Sequence, residues 1–184
     1  MTDVKPMMKQ YYEIKSRTEG CILFFRLGDF YEMFDEDAKL VSAELDLALT
    51  TRDRGKDESE RVPMCGVPYH SAENYIARLI SKGYRVAICE QTEDPKLAKG
   101  LVTRDIVRII TPGTVIEDSM LEKGRNNYIC SVYIKDGGWA ACFADISTGE
   151  AYLTGGEAES ARRLEEELAR FSPREALLGG EAAF

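Results

Sequence analysis

The 184-residue chain has one histidine, no C-x-x-C pair and no apolar stretch long enough to span a bilayer. Each absence removes a class of function. With His70 alone, a zinc site is short of its usual imidazole and thiolate ligands. The five cysteines, Cys21, Cys65, Cys89, Cys130 and Cys142, are odd in number and scattered. Four have mainly apolar flanks, and they read as buried reduced thiols rather than bridges or ligands. The N-terminus MTDVKPMMKQ lacks the apolar core of a signal peptide, so the chain reads as cytoplasmic with no membrane partner. No phosphate-cradling loop is present: Gly55-Lys56 is followed by Asp57, without a second glycine at the required spacing. No nucleophile–base–acid set stands out around His70. Positive charge is also short. A net charge of -8 argues against gripping nucleic acid by bulk electrostatics, which needs clustered Lys and Arg.

What is present is an ordinary globular composition, 44% hydrophobic and 30% charged. MMKQYYEIKSR (Met7 to Arg17) has helical spacing, and CILFFRLG is a short apolar run between glycines that suits a buried strand. From Tyr31, residues Phe34, Ala38, Val41 and Leu45 recur at three and four, as in an amphipathic helix. LALTTRD returns to a strand, RGKDESER is a charged loop, and PMCGVPYH is extended between its prolines. Ser71 is placed to cap the helix SAENYIARLISKG, which Gly83 closes. YRVAICEQ and LVTRDIVRIITPGT are strands, separated by the loop TEDPKLAKG. The fold class is mixed α/β: an N-terminal mixed sheet flanked by helices over residues 1–116. Residues 117–127 are polar and linker-like. Residues 128–184 read as an antiparallel meander with Asp-Gly-Gly and Ser-Thr-Gly turns, then the amphipathic helix ESARRLEEELARF and a further strand in PREALLGG. Such a sheet has an uncovered face, so a fragment of a larger protein is expected.

One stretch divides the interpretation. In GDFYEMF (Gly28 to Phe34), a helix would put Phe30 on the apolar face of Phe34 and Ala38. Asp29 and Glu32 would then form a capping box. Periodicity alone favours this, with Phe30 in the core. An extended backbone would instead point Phe30 and Glu32 the same way, whereas in a helix they diverge by about 200°.

Other clusters carry less. Asp145 and Glu150 flank the second meander turn and raise an RNase H-like, metal-dependent nuclease as an alternative; a turn-flanking pair is the plainer reading. Arg52, Arg54, Lys56 and Arg61 form a local basic cluster. Arg104 and Arg108, four apart on a strand, are expected to share a face.

FFRLGDFYEMFDEDA, VPMCGVPYHSAENYIARLISKGYRVAICEQTEDP and VRIITPGT together resemble the N-terminal mismatch-recognition domain of the MutS family of DNA mismatch repair proteins. The likeness spans almost all of residues 5–116. NNYICSVYIKDGGWAACFADISTGE resembles, less distinctively, the start of that family's connector domain, which implies a partial, RNase H-like second domain. The resemblance implies that Phe30 enters the minor groove and stacks on a mispaired base, with Glu32 hydrogen-bonding to that base. It places Arg52 near DNA, in reach of a phosphate. The Pro68-Tyr69-His70 turn is expected to approach the backbone, and Met64 to pack beside Phe30. By the same likeness the partners are mismatched double-stranded DNA, MutL and a second subunit in a homodimer. ATP and Mg belong to a domain outside this chain, which itself needs no cofactor or metal and is no enzyme. A protein-interaction module working through the connector segment is the remaining alternative.

Overall fold

The computed structural model describes residues 5–52, 61–93, 100–157 and 160–181. The expected loop around Arg54 and Lys56, most of that at TEDPKLAKG and the terminus beyond Glu181 lie outside them. The chain divides into two compact units, Met1–Ile110 and Thr111–Phe184.

The first unit is built on the apolar run that the sequence marks. β1 (Cys21–Leu27) is buried through its first five residues, because helices cover both faces of its sheet. On one face α1 (Pro6–Ser16), started by a proline whose fixed φ suits the first helical turn, presses Met8, Tyr11 and Ile14 onto Cys21, Leu23, Phe25 and Phe34. Tyr11 meets Phe25 and Phe34 edge-on, with centroids 5.4 and 4.9 Å apart. α2 (Asp35–Leu45) and α3 (Ala72–Ser81) lie on the other face, against β2 (Phe30–Phe34), β4 (Pro63–Pro68) and β5 (Arg85–Gln91). There the Cys65 thiol donates to Ala38 O. With β3 (Thr50–Thr51) and β6 (Arg104–Ile110), the sheet runs β3-β4-β2-β1-β5-β6. β1 and β5 are parallel and the other pairs antiparallel, so the sheet is mixed, as expected.

Two expectations need correction. FYEMF is a strand, not the first turn of a helix. β2 pairs with β1 on one side and β4 on the other, so its backbone groups are satisfied without a helix. Phe34 misleads the periodicity because it serves the strand and also sits at the N-cap position of α2. There is no capping box: Asp29 lies in the hairpin turn, and α2 opens with Asp35, Glu36 and Asp37, acids that suit its positive end. Ser71 likewise occupies the N-cap position of α3 without capping it; its hydroxyl donates to Pro68 O from a 3-10 turn over Tyr69–Ser71.

The second correction concerns Arg104 and Arg108. β6 carries a bulge: Ile106 pairs with Cys89 and Arg108 with Ile88, leaving Val107 over. The extra residue inverts the alternation, so the two arginines face opposite sides. Arg104 is buried, donating to Arg26 O, Gln10 Oε1 and Val102 O, with its guanidinium 5.1 Å from the Phe25 ring centroid. It is part of the core boundary, not a solvated charge.

In the second unit, β7 (Tyr128–Lys135), β8 (Gly138–Asp145) and β9 (Glu150–Glu157) form the meander, and β10 (Glu175–Gly180) adds in parallel to β7. Asp136 and Gly137 both have positive φ, as a type I′ hairpin turn requires. α4 (Ala161–Phe171) lays Leu164, Leu168 and Phe171 over Cys130, Val132, Trp139, Ala141 and Phe143. The opposite face carries Tyr133, Leu153 and Leu177 in the open, Leu153 at 82% exposure.

Candidate nucleic-acid interface

Leu27 and Phe30 face each other across the two-residue turn Gly28-Asp29 that closes the β1–β2 hairpin. Gly28 has φ +57, which a type II′ turn asks of its first central residue and which glycine adopts without strain. Phe30 is therefore the first residue of a strand, opposite Pro68. Its side chain is outside the α1 cluster and 46% exposed. The core placement that periodicity alone favoured for Phe30 is overturned, and the extended alternative holds; α1 covers the Phe34 end of this face and leaves the Phe30 end open.

Glu32 points the same way as Phe30, two residues and roughly 7 Å further along. Across β4 it meets Gly66, and across β1 it meets Phe25. Gly66 suits a close approach of the two strands: a Cβ there would lie 3.1 Å from Tyr31 O and in contact, at 3.5 Å, with Glu32 Cγ. Arg52, just after β3, donates from Nη1 to Glu32 Oε2 at 3.0 Å. Both side chains are mostly sheltered, at 31% and 19% exposure. Burial raises the Glu32 pKa above the ordinary carboxylate value, against the smaller opposing pull of the Arg52 charge and hydrogen bond. The ion is thus held at some cost beside an exposed aromatic.

The reverse side of the hairpin fixes the turn. Arg26 Nε donates to Gly28 O at 2.5 Å, and its guanidinium lies 3.6 Å from the Tyr69 ring centroid. Arg26 also reaches Glu90 Oε1 at 3.3 Å, and the Tyr31 hydroxyl donates to the same oxygen. Burial and that bond push the Tyr31 phenol up to about 12. The Tyr69 N–H donates to Asp29 O at 2.9 Å, tying the 3-10 turn to the hairpin. Sequence reasoning missed Arg26 and Glu90. The available signal was a cation interrupting an apolar strand one residue before its last.

The structure brings Phe30, Glu32 and Arg52 to one face. Tyr69 stands behind the turn as a 45% exposed residue, and His70 meets its ring edge-on at 5.7 Å. Met64 is not beside Phe30. The register sets it opposite Phe34, four residues along the strand, where it joins the α1 cluster and lies diagonal to Glu32. Asp145 does not look like a catalytic carboxylate: it is buried, accepting from Ser147 N and Oγ, Thr148 N and Asn127 N. Glu150 accepts from Asn126 Nδ2. Among the described residues no three His, Cys, Asp or Glu side chains gather to hold a metal ion, and no helix is long and apolar enough to cross a membrane.

The first unit is a mixed α/β domain that projects an exposed phenylalanine and an arginine-paired carboxylate from one hairpin. The chain belongs to the MutS family: the family model for MutS domain I matches residues 5–119, and that for MutS domain II matches residues 127–183. It is 57% identical over 173 residues to the DNA mismatch repair protein MutS of Clostridium tetani, covering 94% of this chain and 19% of that protein. The protein of the same name from Acetivibrio thermocellus is 53% identical over 184 residues, covering 98% and 21%. That from Syntrophomonas wolfei is 52% identical over 184 residues, covering 100% and 21%. The chain thus spans about a fifth of the length of these relatives.

Proposed function

We propose that this chain senses mispaired and unpaired bases in duplex DNA through Phe30 and Glu32, as the opening step of mismatch repair. The observation that carries the reading is the extended backbone from Phe30 to Glu32, which aims an exposed ring and a carboxylate at one target. A mispaired base is already poorly stacked, and the duplex kinks there at reduced cost, so an aromatic wedge finds its site by softness rather than by sequence. A carboxylate near phosphates is repelled along intact duplex, while at a mismatch its hydrogen bond to the base compensates. Discrimination then comes partly from a penalty on the wrong target.

The net charge of -8 accords with weak binding by this chain alone. A firm grip would come from a homodimer of the longer protein, which would also recruit MutL and work in the cytoplasm. ATP and Mg²⁺ would act there too. This chain has no P-loop to hold them, and it carries no catalytic step. Tyr69 and His70, on the turn tied to the hairpin, are proposed to approach the DNA backbone, and Arg52 to lie near the mismatched base through its contact with Glu32.

The reading is tested by titrating a mismatched oligonucleotide into the labelled chain. Amide signals of residues 28–34 should shift, and more than with matched duplex. Shifts confined to residues 127–183, or none, would instead favour a protein-interaction module. Glu32→Gln should raise homoduplex affinity on the order of tenfold and blunt the mismatch preference. It should also raise the melting temperature at neutral pH. Because the folded-state pKa of Glu32 is raised, its contribution to stability is full below the unfolded value and lost as pH rises through the folded one. The gain from glutamine should therefore be present at pH 8 and shrink toward pH 3.5, which thermal unfolding at the two pH values checks.

A further inference from the structure

Arg52 was expected to touch a phosphate, yet its guanidinium is turned to Glu32. The pair joins two strands that do not adjoin: β4 lies between β3 and β2. Arg52 starts beside Val62 and reaches Glu32 past the Phe34 ring, while the β4 position opposite Glu32, Gly66, has no side chain. The guanidinium is 5.6 Å from the Phe34 ring centroid, so aromatic packing limits its freedom on one side. Its own N–H donates to Val62 O, which fixes the backbone from which it reaches. Oε2 of Glu32 is thereby occupied, while Oε1 accepts nothing from the described residues.

We propose that Arg52 is a specificity-determining positioning residue that acts through Glu32: it holds Oε2 and so orients the carboxylate with Oε1 toward the base, rather than serving as a phosphate grip. This rests on the mismatch-recognition reading above. The surroundings of Glu32 leave the task to Arg52. Phe25 faces it from β1, Gly66 and Met64 from β4, and Phe30 and Phe34 from its own strand. From α1, Tyr11 packs against Phe25 and Phe34; its hydroxyl donates to Phe34 O, and burial raises its phenol pKa. Arg104 is engaged on the far side of Phe25. Asp35 is bonded to the Tyr12 hydroxyl. Burial works against the Glu32 charge, and Arg52 is the group that works for it.

A phosphate contact and a positioning role give different results. Losing a phosphate contact weakens all duplexes alike and lowers the salt slope by about one. Losing the positioning contact changes the ratio between mismatch and homoduplex. The carboxyl carbon of Glu32 is titrated by NMR in the free 184-residue chain, and mismatch and homoduplex affinities are measured for wild type, Arg52→Gln, Arg52→Lys, Glu32→Gln and the double variant. Arg52→Gln should raise the Glu32 midpoint and lower the mismatch-to-homoduplex ratio by about threefold, with no further effect in the Glu32→Gln background. Arg52→Lys should restore the midpoint in part, since it keeps the charge but not the planar donor. An unmoved Glu32 midpoint together with equal weakening of both duplexes would overturn the proposal and leave Arg52 a phosphate contact. If Glu32→Gln itself left the ratio unchanged, the recognition reading would fail first, whatever Arg52 did.

Discussion

Replacing Phe30 with alanine is expected to abolish the preference for mismatched DNA while leaving the fold intact. The two halves of this outcome come from different physics. Stacking of an aromatic on a base is worth about 1–3 kcal/mol by alanine substitution, so mismatch affinity should fall roughly 5- to 150-fold. Homoduplex affinity should hardly change, because a closed base stack gives the ring no place to enter. On the stability side, Phe30 is outside the α1 cluster and 46% exposed, at the first position of β2. Truncation leaves no cavity, and the change should stay below about 1 kcal/mol, against the 3–5 kcal/mol of a buried phenylalanine. Phe34→Ala, four residues on and fully buried, is the contrasting control and should unfold or severely destabilise the first unit. Binding isotherms and thermal melts of both variants check the pair. A Phe30→Ala protein that melted like Phe34→Ala would return Phe30 to the core.

That contrast also shows where the sequence was readable. α1 and α3 were legible because each buries a face long enough to impose its period, as YIARLI does, and β1 and β5 because burial on both faces makes them continuous apolar runs, as in CILFF. The meander was legible from its turns, since Asp136-Gly137 supplies two positive φ values in a row. Five residues at Phe30 to Phe34 were too few for a period to decide between strand and helix. What decides is pairing with β1 and β4, and those partners are set by register rather than by local pattern. The same limit hid the bulge at Val107, and with it the burial of Arg104. Met64 was misplaced by the four-residue offset that pairs it with Phe34 instead of Phe30. Within the site, Phe30 and Glu32 were named through resemblance to a family. The Arg52–Glu32 pair, twenty residues apart in sequence, needed the strand order before it could be seen.

Strand order also explains the other large expected effect, at Asp37. β1 extends beyond its hairpin partner: pairing with β2 runs from Phe25 to Leu27, so on that side, among the described residues, Cys21 to Leu23 have no strand beside them, while β5 pairs on the other. Buried backbone donors there must be satisfied some other way. Asp37, in the first turn of α2, accepts from Leu23 N at 2.9 Å, while Lys15 from the last turn of α1 donates to both Asp37 oxygens, at 2.8 and 2.6 Å, and to Cys21 O at 2.6 Å. One ion pair thus stands in for a missing strand and joins the helix on each face of the sheet. Asp37→Ala would leave a buried N–H unpaired and strip Lys15 of its counter-ion. For a fully buried pair the loss is 3–5 kcal/mol; with the Lys15 side chain 31% exposed, about 3 kcal/mol is expected. In a unit of this size that lowers the melting temperature on the order of 10 °C or more. Asp37→Asn keeps an acceptor for Leu23 and gives up the charge, so it should cost about half as much. Urea unfolding gives the energies, and amide exchange at Leu23 gives the cause: it should quicken sharply in the alanine variant and modestly in the asparagine one. Equal exchange in wild type and Asp37→Ala would mean that the edge of β1 is closed by something other than this carboxylate.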